Sequence, residues 1–469
     1  MSARASDRGP PAEPGPVEDV YLVPVFDLWL LSSPRRRLSA LVDHRTATRL
    51  ARGRLDGNSG SWGELSRALA EEPSPVPGPE GAEPAPQFLG LVTTRSCNFA
   101  CAYCAFGTDG GGSRSMPAST AVAAIDWMAR SARRRGAHRL EVHLFGGEPT
   151  VAWEVLKAAV QGTRSAAARH GLVPYLEIAT NGAVDPDRAD FLGECFDTVV
   201  LSFDGLPELH DRYRPWRGGR PSSATVTRAA RRLAESPAEV WLRCCVTEES
   251  VDRLDEITSR LCSELGARAL SFETLQPTPQ AAAAGLRPPH PLRFAAALWR
   301  ARRRAEELGA RLVYGPSLTG EPRRSSCPVG NDTLVLLPDG QVCACYLPAT
   351  EWRSRGLDLE LGRLDEGGEL ELDREALRRL RRLVLHRPRC RTCFCRWSCA
   401  GGCQVSHSPP GCPAAYDDFC HQTRAITACS LLDELGRPEL ADALAADGPA
   451  LERLTRQPRD FPDLGHALA

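Results

Sequence analysis

From residue 88 to residue 307 the sequence alternates six times between a short apolar run and a longer segment with helical spacing. The runs are FLGLVTT (88–94), LEVHLF (140–145), YLEIAT (175–180), DTVVLSF (197–203), VWLRCCVT (240–247) and ALSFETL (269–275). The segments between and after them predict helices at about 118–135, 151–169, 187–194, 222–235, 250–265 and 291–307. Parallel neighbours need a crossover of a dozen or more residues, so this alternation predicts a parallel sheet with helical connections. Six units fall short of the eight of a closed barrel. The expected class is therefore α/β: a partial (β/α)6 TIM-like barrel, with an open doubly wound sheet as the other solution.

The flanks read differently. Residues 1–18 are rich in Pro, Gly and Ala and are expected to be disordered. Residues 19–71 form a small α+β unit, with strands YLVPVFDLWLL and LSALVDH around the turn-like SSPRRR and helices near 44–53 and 62–71. Residues 72–87 are a linker, six prolines lying between 73 and 86. On that reading residues 1–70 fold apart from the barrel at 88–315 and touch it lightly. Past 315 the alternation stops. TLVLLPDGQVCACYLP reads as a hairpin around Asp339-Gly340, a basic amphipathic helix is expected at 373–386, and the tail (431–469) is helical. Residues 316–430 thus form an extension.

Charge excludes some partners. Fifty-eight basic residues against 59 acidic ones leave a formal charge of −1, which gives no general attraction to nucleic acid or anionic membrane. The arginine runs at 130–135, 300–304 and 378–382 sit at helical spacing among acidic neighbours and read as solvated faces. Lys157, the sole lysine, reads as a solvated helix residue. No run approaches 18 apolar residues, and the first twenty carry no apolar stretch of a signal peptide. The expected location is cytoplasmic, where thiols stay reduced. Eighteen cysteines then point to metal more than to disulfides.

Three of them, Cys97, Cys101 and Cys104, stand as C-x3-C-x2-C directly after the first barrel strand. Three thiolates wrap one face of an iron–sulfur cube and leave the fourth iron open, whereas closed clusters take four. A structural zinc site lacking one ligand, or three packed thiols, is the other reading. The motif, with Tyr103 before its last cysteine, resembles the signature of radical S-adenosylmethionine (SAM) enzymes. The resemblance implies that the open iron chelates the methionine end of SAM and that the backbone near Tyr103 meets the adenine. Gly146-Gly147-Glu148, ending the second strand, resembles the family's Gly-Gly-Glu motif, in which the carboxylate meets the SAM amino group. Asn181, ending the third strand, and Ser202 and Asp204, ending the fourth, match family positions near SAM. His210-Asp211-x-x-Arg214 resembles a stretch common in peptide-modifying members; a surface salt bridge is the alternative there. Thr247 and Glu273 are weaker candidates of the same kind.

A second constellation follows. Cys327, Cys345, then Cys390-x2-Cys393-x5-Cys399-x3-Cys403, and Cys420 resemble the SPASM extension of radical SAM enzymes that act on peptides and proteins. The resemblance implies two auxiliary iron–sulfur clusters: a distal one on Cys390, Cys393, Cys399 and Cys420, and a proximal one on Cys327, Cys345 and Cys403. Cys343, Cys395 or Cys412 is the candidate spare ligand. A zinc ribbon on the Cys390–Cys393 pair is the bland alternative. Cys195, Cys244, Cys245, Cys262 and Cys429 read as buried small hydrophobes.

Together these readings imply a maturase that uses a [4Fe-4S] cluster, SAM and two auxiliary clusters. It would take hydrogen from a ribosomally made precursor peptide, with a side-chain cross-link as the expected product. The implied partners are that peptide and an electron donor such as flavodoxin or ferredoxin, and the 19–71 unit is a candidate for leader capture by strand addition. The alternatives are a sulfatase-maturase-like or small-molecule enzyme of the same fold, or a non-catalytic iron–sulfur electron carrier.

Overall fold

The computed structural model describes residues 19–456, except 56–58, 76–77, 79–83, 107–114, 328, 384–387 and 406–415. The calls on residues 1–18, on Cys412, on much of the proline linker and on the end of the tail lie outside the described residues.

The chain opens with a three-stranded antiparallel sheet, β1 (Tyr21–Val25), β2 (Leu28–Ser33) and β3 (Leu38–Val42), followed by α1 (His44–Ala51) and α2 (Gly60–Ala70). The run 21–31, read above as one strand, is two. Val25 pairs with Leu28 across a two-residue turn, and Phe26 takes a positive φ of 54° there. Alternation explains the result, because a hairpin gives both faces of the sheet something apolar to cover. Leu22, Trp29, Leu31 and Val42 pack with Ala47, Leu50, Ala51 and Leu69 of the two helices. Tyr21, Val23, Val25 and Leu30 face the other way and join the main core.

The main sheet holds β4 (Leu89–Val92), β5 (Arg139–Phe145), β6 (Val173–Thr180), β7 (Thr198–Ser202), β8 (Glu239–Val246), β9 (Ala269–Thr274) and β10 (Arg311–Val313). The crossovers carry α3 (Ala118–Arg134), α4 (Trp153–His170), α5 (Pro186–Cys195), α6 (Pro207–Tyr213), α7 (Ser223–Ala234), α8 (Leu254–Ser263), α9 (Pro279–Ala283) and α10 (Pro291–Glu307). All these strands are parallel. The α6 turn and the three-residue β10 add to the expected six units. Beyond them come β11 (Leu334–Leu336), β12 (Gln341–Cys343), β13 (Glu360–Leu364) and β14 (Leu370–Leu372). The expected hairpin is β11–β12, but β11 also pairs in parallel with β4. The sheet therefore continues into the extension, in the order β10-β9-β8-β7-β6-β5-β4-β11-β12-β13-β14. After it come α11 (Ala349–Arg353), α12 (Arg374–Leu383), α13 (Asp418–Glu434), α14 (Pro438–Ala446) and α15 (Gly448–Arg453). Among the described residues no helix is long and apolar enough to cross a membrane.

The expectation that residues 1–70 touch the rest lightly is overturned. Besides the shared core, Trp397 Nε1 donates to Asp19 Oδ1 at 2.5 Å in a buried contact, and the Arg35 guanidinium lies 5.5 Å from the Trp397 ring centroid. The end of the linker at residues 85–86 is tied down as well: Ala85 N donates to Asp332 Oδ2 at 2.8 Å, and Arg135 Nη2 to Pro86 O at 2.7 Å. Asp332 is in turn ion-paired with Arg381, both buried. Composition marked the linker as extended, but extended backbone still has N–H and C=O groups that neighbours can bond.

A chain shortened to begin at Gln87 leaves Trp397 Nε1 without its buried acceptor, a loss of about 1–3 kcal/mol, and bares the apolar surface under β1 and β2. Its thermal midpoint is expected to fall and its soluble fraction to aggregate, read by calorimetry and light scattering. A monodisperse truncation with an undiminished midpoint would show the unit to be independent.

Candidate functional site

The loop after β4 is held from two sides. On one side Ala100 N donates to Pro215 O at 2.9 Å and Ala102 N to Tyr213 O at 2.8 Å, while Arg217 N donates to Asn98 O at 2.9 Å. Phe99 is buried against Trp216, with ring centroids 5.1 Å apart. The segment 213–217 that makes these contacts follows α6, so the helix missed in the sequence positions the cysteine loop. On the other side Gly147 N donates to Thr94 O at 2.8 Å and Glu148 N to Ser96 O at 2.9 Å. A Cβ on Gly147 would lie 2.3 Å from Ser96 O and one on Gly146 2.4 Å from Thr94 O. Any side chain there would push the loop away.

Cys97, Cys101 and Cys104 come together on this loop. Cys97 Sγ accepts from Phe99 N at 3.4 Å and lies 3.7 Å from Asn181 Nδ2. Desolvation pushes the Cys97 thiol up to about 11 and the Cys101 thiol up to about 12, the latter opposed by the neighbouring Arg214 cation. Burial that disfavours a bare thiolate suits a metal that replaces the proton, and an all-sulfur donor set with N–H groups aimed at it suits iron–sulfur chemistry. Among the described residues no three His, Cys, Asp or Glu side chains close up to the spacing of one bound metal ion. The structure shows the grouping of the thiols, not a finished coordination shell.

Glu148 is 1% exposed. Its Oε1 accepts from Thr150 N (3.0 Å), Thr150 Oγ1 (2.8 Å) and Thr180 Oγ1 (2.8 Å), and its Oε2 from Asn181 N (2.7 Å). Two carboxylate oxygens offer about four lone-pair sites, so this carboxylate is engaged within the protein. It fixes the ends of β5 and β6 together. Asn181 Oδ1 accepts from Ala183 N at 2.9 Å and its Nδ2 donates to Asn98 Oδ1 at 2.7 Å, which ties β6 to the cysteine loop.

Asp204, past the end of β7, is also 1% exposed. It accepts from Tyr103 Oη (2.6 Å), Arg214 Nε (2.9 Å) and Cys245 N (3.0 Å). The surface salt-bridge alternative does not hold for His210, Asp211 and Arg214, although Arg212 between them pairs with Glu249 at the surface. His210 is fully buried, stacked 4.4 Å from Phe203, with its Nδ1 accepting from Asp204 N at 3.2 Å. Burial lowers the His210 imidazole to about 4. Asp211 caps the start of α7, taking both Ser222 N (2.8 Å) and Ser223 N (2.7 Å). Ser202 stands half-buried in register with Arg243 of β8. Thr247 is engaged with Ser250 and, at 3.1 Å, with Tyr213 Oη.

On β8 the neighbouring Cys244 and Cys245 part company. Cys244 is fully buried with Leu242 and Val246, whereas Cys245 lies on the opposite face, in register with Glu273 of β9. Arg243 and Ser271 form the next rung. Desolvation raises the Glu273 carboxyl, with Arg243 opposing. The reading of Cys245 as a buried hydrophobe like Cys244 is therefore corrected. The alternation of the strand carried that signal in the sequence.

The later cysteines fall into two groups. Cys390, Cys393, Cys395, Cys399 and Cys420 line one pocket with Arg389, Arg424, Tyr416 and Phe419. A hydrogen bond from Cys395 and the Arg424 cation, against desolvation, hold the Cys393 thiol well below the ordinary thiol range. Cys327, Cys343 and Cys403 instead surround Cys345 closely enough to perturb its thiol, which desolvation pushes up. Of the candidate spare ligands, Cys395 lies with the first group. Cys343 is buried with its Sγ 3.0 Å from Cys345 O.

The family model of the radical SAM superfamily matches residues 91–260, which hold the cysteine loop, Gly146–Glu148, Asn181 and Asp204. In sequence the chain is 25% identical over 190 residues to an uncharacterized protein of Methanocaldococcus jannaschii, an alignment covering 40% of this chain and 63% of that protein. The chain thus spans less than two thirds of this relative's length. Among solved structures, native anSMEcpe with bound AdoMet superposes with a TM-score of 0.59 at 20% identity, over 74% of this chain and 99% of that one. The same protein with bound AdoMet and Kp18Cys peptide gives 0.59 and 20%, over 74% and 98%. The fold is that of these structures. In fold and in the match over residues 91–260, this part of the chain is similar to a radical SAM domain.

Proposed function

We propose that the chain is a radical SAM/SPASM maturase that modifies a ribosomally made precursor peptide, with a side-chain cross-link as its product. The observation that carries this reading is the convergence of three thiols, the Gly146–Gly147 cradle and the Asn181 amide at the C-terminal ends of adjacent parallel strands, where α/β folds place their chemistry. When bound, the cluster and SAM supply reductive cleavage of the sulfonium and a 5′-deoxyadenosyl radical.

The protein's own residues position and shield. Cys97, Cys101 and Cys104 are the proposed ligands of the mouth cluster. Gly146 and Gly147 bring main chain within reach of a ligand's polar end, and Glu148, Thr180 and Asn181 fix that main chain. Tyr103, locked to Asp204 and Arg214, holds the loop backbone at the adenine position. Ser202, Arg243, Cys245 and Glu273 line the face across which a substrate is held. Cys390, Cys393, Cys399 and Cys420 are the proposed ligands of the distal auxiliary cluster. Cys327, Cys345 and Cys403 are those of the proximal one, with Cys343 the spare thiol beside them. A peptide substrate is supported by the peptide bound in the anSMEcpe complex. It is also supported by the edge strand β3, half-buried along most of its length, to which an extended leader can add. An electron donor such as flavodoxin or ferredoxin is the proposed reductant.

Two outcomes follow from these assignments. Anaerobically reconstituted chain is expected to carry about 12 irons, three clusters of four, and to release deoxyadenosine from SAM. The Cys97→Ala, Cys101→Ala, Cys104→Ala variant keeps about 8 irons and releases none. Deoxyadenosine at the wild-type rate from the triple variant, or a wild type holding about 4 irons plus zinc, contradicts the reading. Glu148→Gln puts an NH2 group among four donors and leaves at least one unpaired, at a cost of about 1–3 kcal/mol. The SAM dissociation constant is expected to rise roughly tenfold with iron content unchanged; equal affinity would place Glu148 outside the machinery.

A further inference from the structure

The distal cavity contains two buried arginines whose charges are met in different ways. Arg389 is 4% exposed and pairs through Nη1 with Asp417 Oδ2 at 2.8 Å. Asp417 also caps α13, accepting from Cys420 N at 2.9 Å. Arg424, one turn further along α13, is 5% exposed, and among the described residues it forms no ion pair with a carboxylate. Its Nε donates to Leu454 O at 2.6 Å and its Nη2 to Arg456 O at 3.4 Å. Its Nη1 lies 3.3 Å from both Cys393 Sγ and Tyr416 Oη. The guanidinium is packed between two rings, 4.8 Å from the Phe394 centroid and 4.4 Å from that of Tyr416. Carbonyls, a phenol and ring faces solvate this cation, and among the described residues the group of opposite charge facing it is the Cys393 sulfur rather than a carboxylate.

A cluster held by four thiolates is an anion that gains a further negative charge on reduction. Bound here, it would bring further negative charge beside Arg424, and more of it when reduced. We propose that Arg424 is a positioning residue of the distal cluster, whose guanidinium donates to the Cys393 sulfur and makes that cluster easier to reduce. This rests on the proposed distal ligand set. Hydrogen bonds to cluster sulfurs and nearby charge are the levers that set such potentials. The function served follows from electron balance. Forming a cross-link removes two hydrogen atoms from a peptide. One leaves as an atom to the 5′ carbon of the deoxyadenosyl radical. The other leaves as a proton to solvent and an electron to an acceptor. A cluster with a raised potential is that acceptor, and Arg424 places it in this chain at the distal site.

The test uses full-length chain reconstituted anaerobically with iron and sulfide, in the Cys97→Ala, Cys101→Ala, Cys104→Ala background so that the auxiliary clusters are read alone. Midpoint potentials are followed by electron paramagnetic resonance in Arg424→Gln and Arg424→Lys. Arg424→Gln, which loses the charge, is expected to lower one midpoint by at least tenfold in the reduction equilibrium, 59 mV for one electron. Arg424→Lys, which keeps the charge without the fork, is expected to recover part of that shift. A glutamine variant with full iron and unchanged midpoints overturns the proposal. If that variant loses iron, the lysine variant decides: a lowered midpoint supports the proposal and a wild-type one overturns it. About 4 irons in the wild-type chain would overturn the auxiliary-cluster reading itself, and this proposal with it.

Discussion

The mouth of the sheet depends on a main-chain contact between the end of β5 and the start of the cysteine loop. Gly147 N and Glu148 N bond to Thr94 O and Ser96 O, and the two chains lie so close that a single Cβ on Gly147 would sit 2.3 Å from a carbonyl oxygen. With that contact made, Glu148 is buried at the junction and takes four donors from the ends of β5 and β6. Asn181 then reaches back to Asn98 beside Cys97. Glycine, carboxylate and amide act in series, and each has a position only because the one before it does.

The opposite flank of the loop uses charge. Asp204 and Arg214 form an ion pair buried to 1% and 11% of side-chain exposure, with Tyr103 bonded to the same carboxylate. Removing one partner of such a pair costs about 3–5 kcal/mol, because the other charge stays buried alone. The pair sits beside Cys101, where the Arg214 cation and the Asp204 carboxylate act on its thiol in opposite directions. In the distal pocket a cation instead faces sulfur, with Arg424 Nη1 3.3 Å from Cys393 Sγ.

What the sequence made legible was local. Cys97, Cys101 and Cys104 lie within eight residues, so their spacing alone places three thiols on one loop. Gly146–Glu148 and Asn181 were placed by their position after a strand, which the alternation marked. Long-range pairing was not legible: nothing in LVL at 334–336 says that it will lie beside β4, more than two hundred residues earlier. The Trp397–Asp19 bond spans still more chain. The turn at Phe26–Asp27 was hidden because its first residue is apolar and takes a left-handed conformation that sequence reading reserves for Gly or Asn. Cys245 was legible and overlooked, since a strand that buries Leu242 and Cys244 must turn Cys245 the other way.

The central claim is that the three thiols at the mouth hold a cluster with one iron left open to SAM. Mössbauer spectra of chain reconstituted with the spectroscopically active iron isotope test it most directly, recorded with and without SAM. The account requires one iron site of one cluster to change its signal when SAM is added. That change must vanish in the Cys97→Ala, Cys101→Ala, Cys104→Ala variant. A wild-type spectrum that SAM leaves unaltered, or a change that survives in the variant, would contradict it.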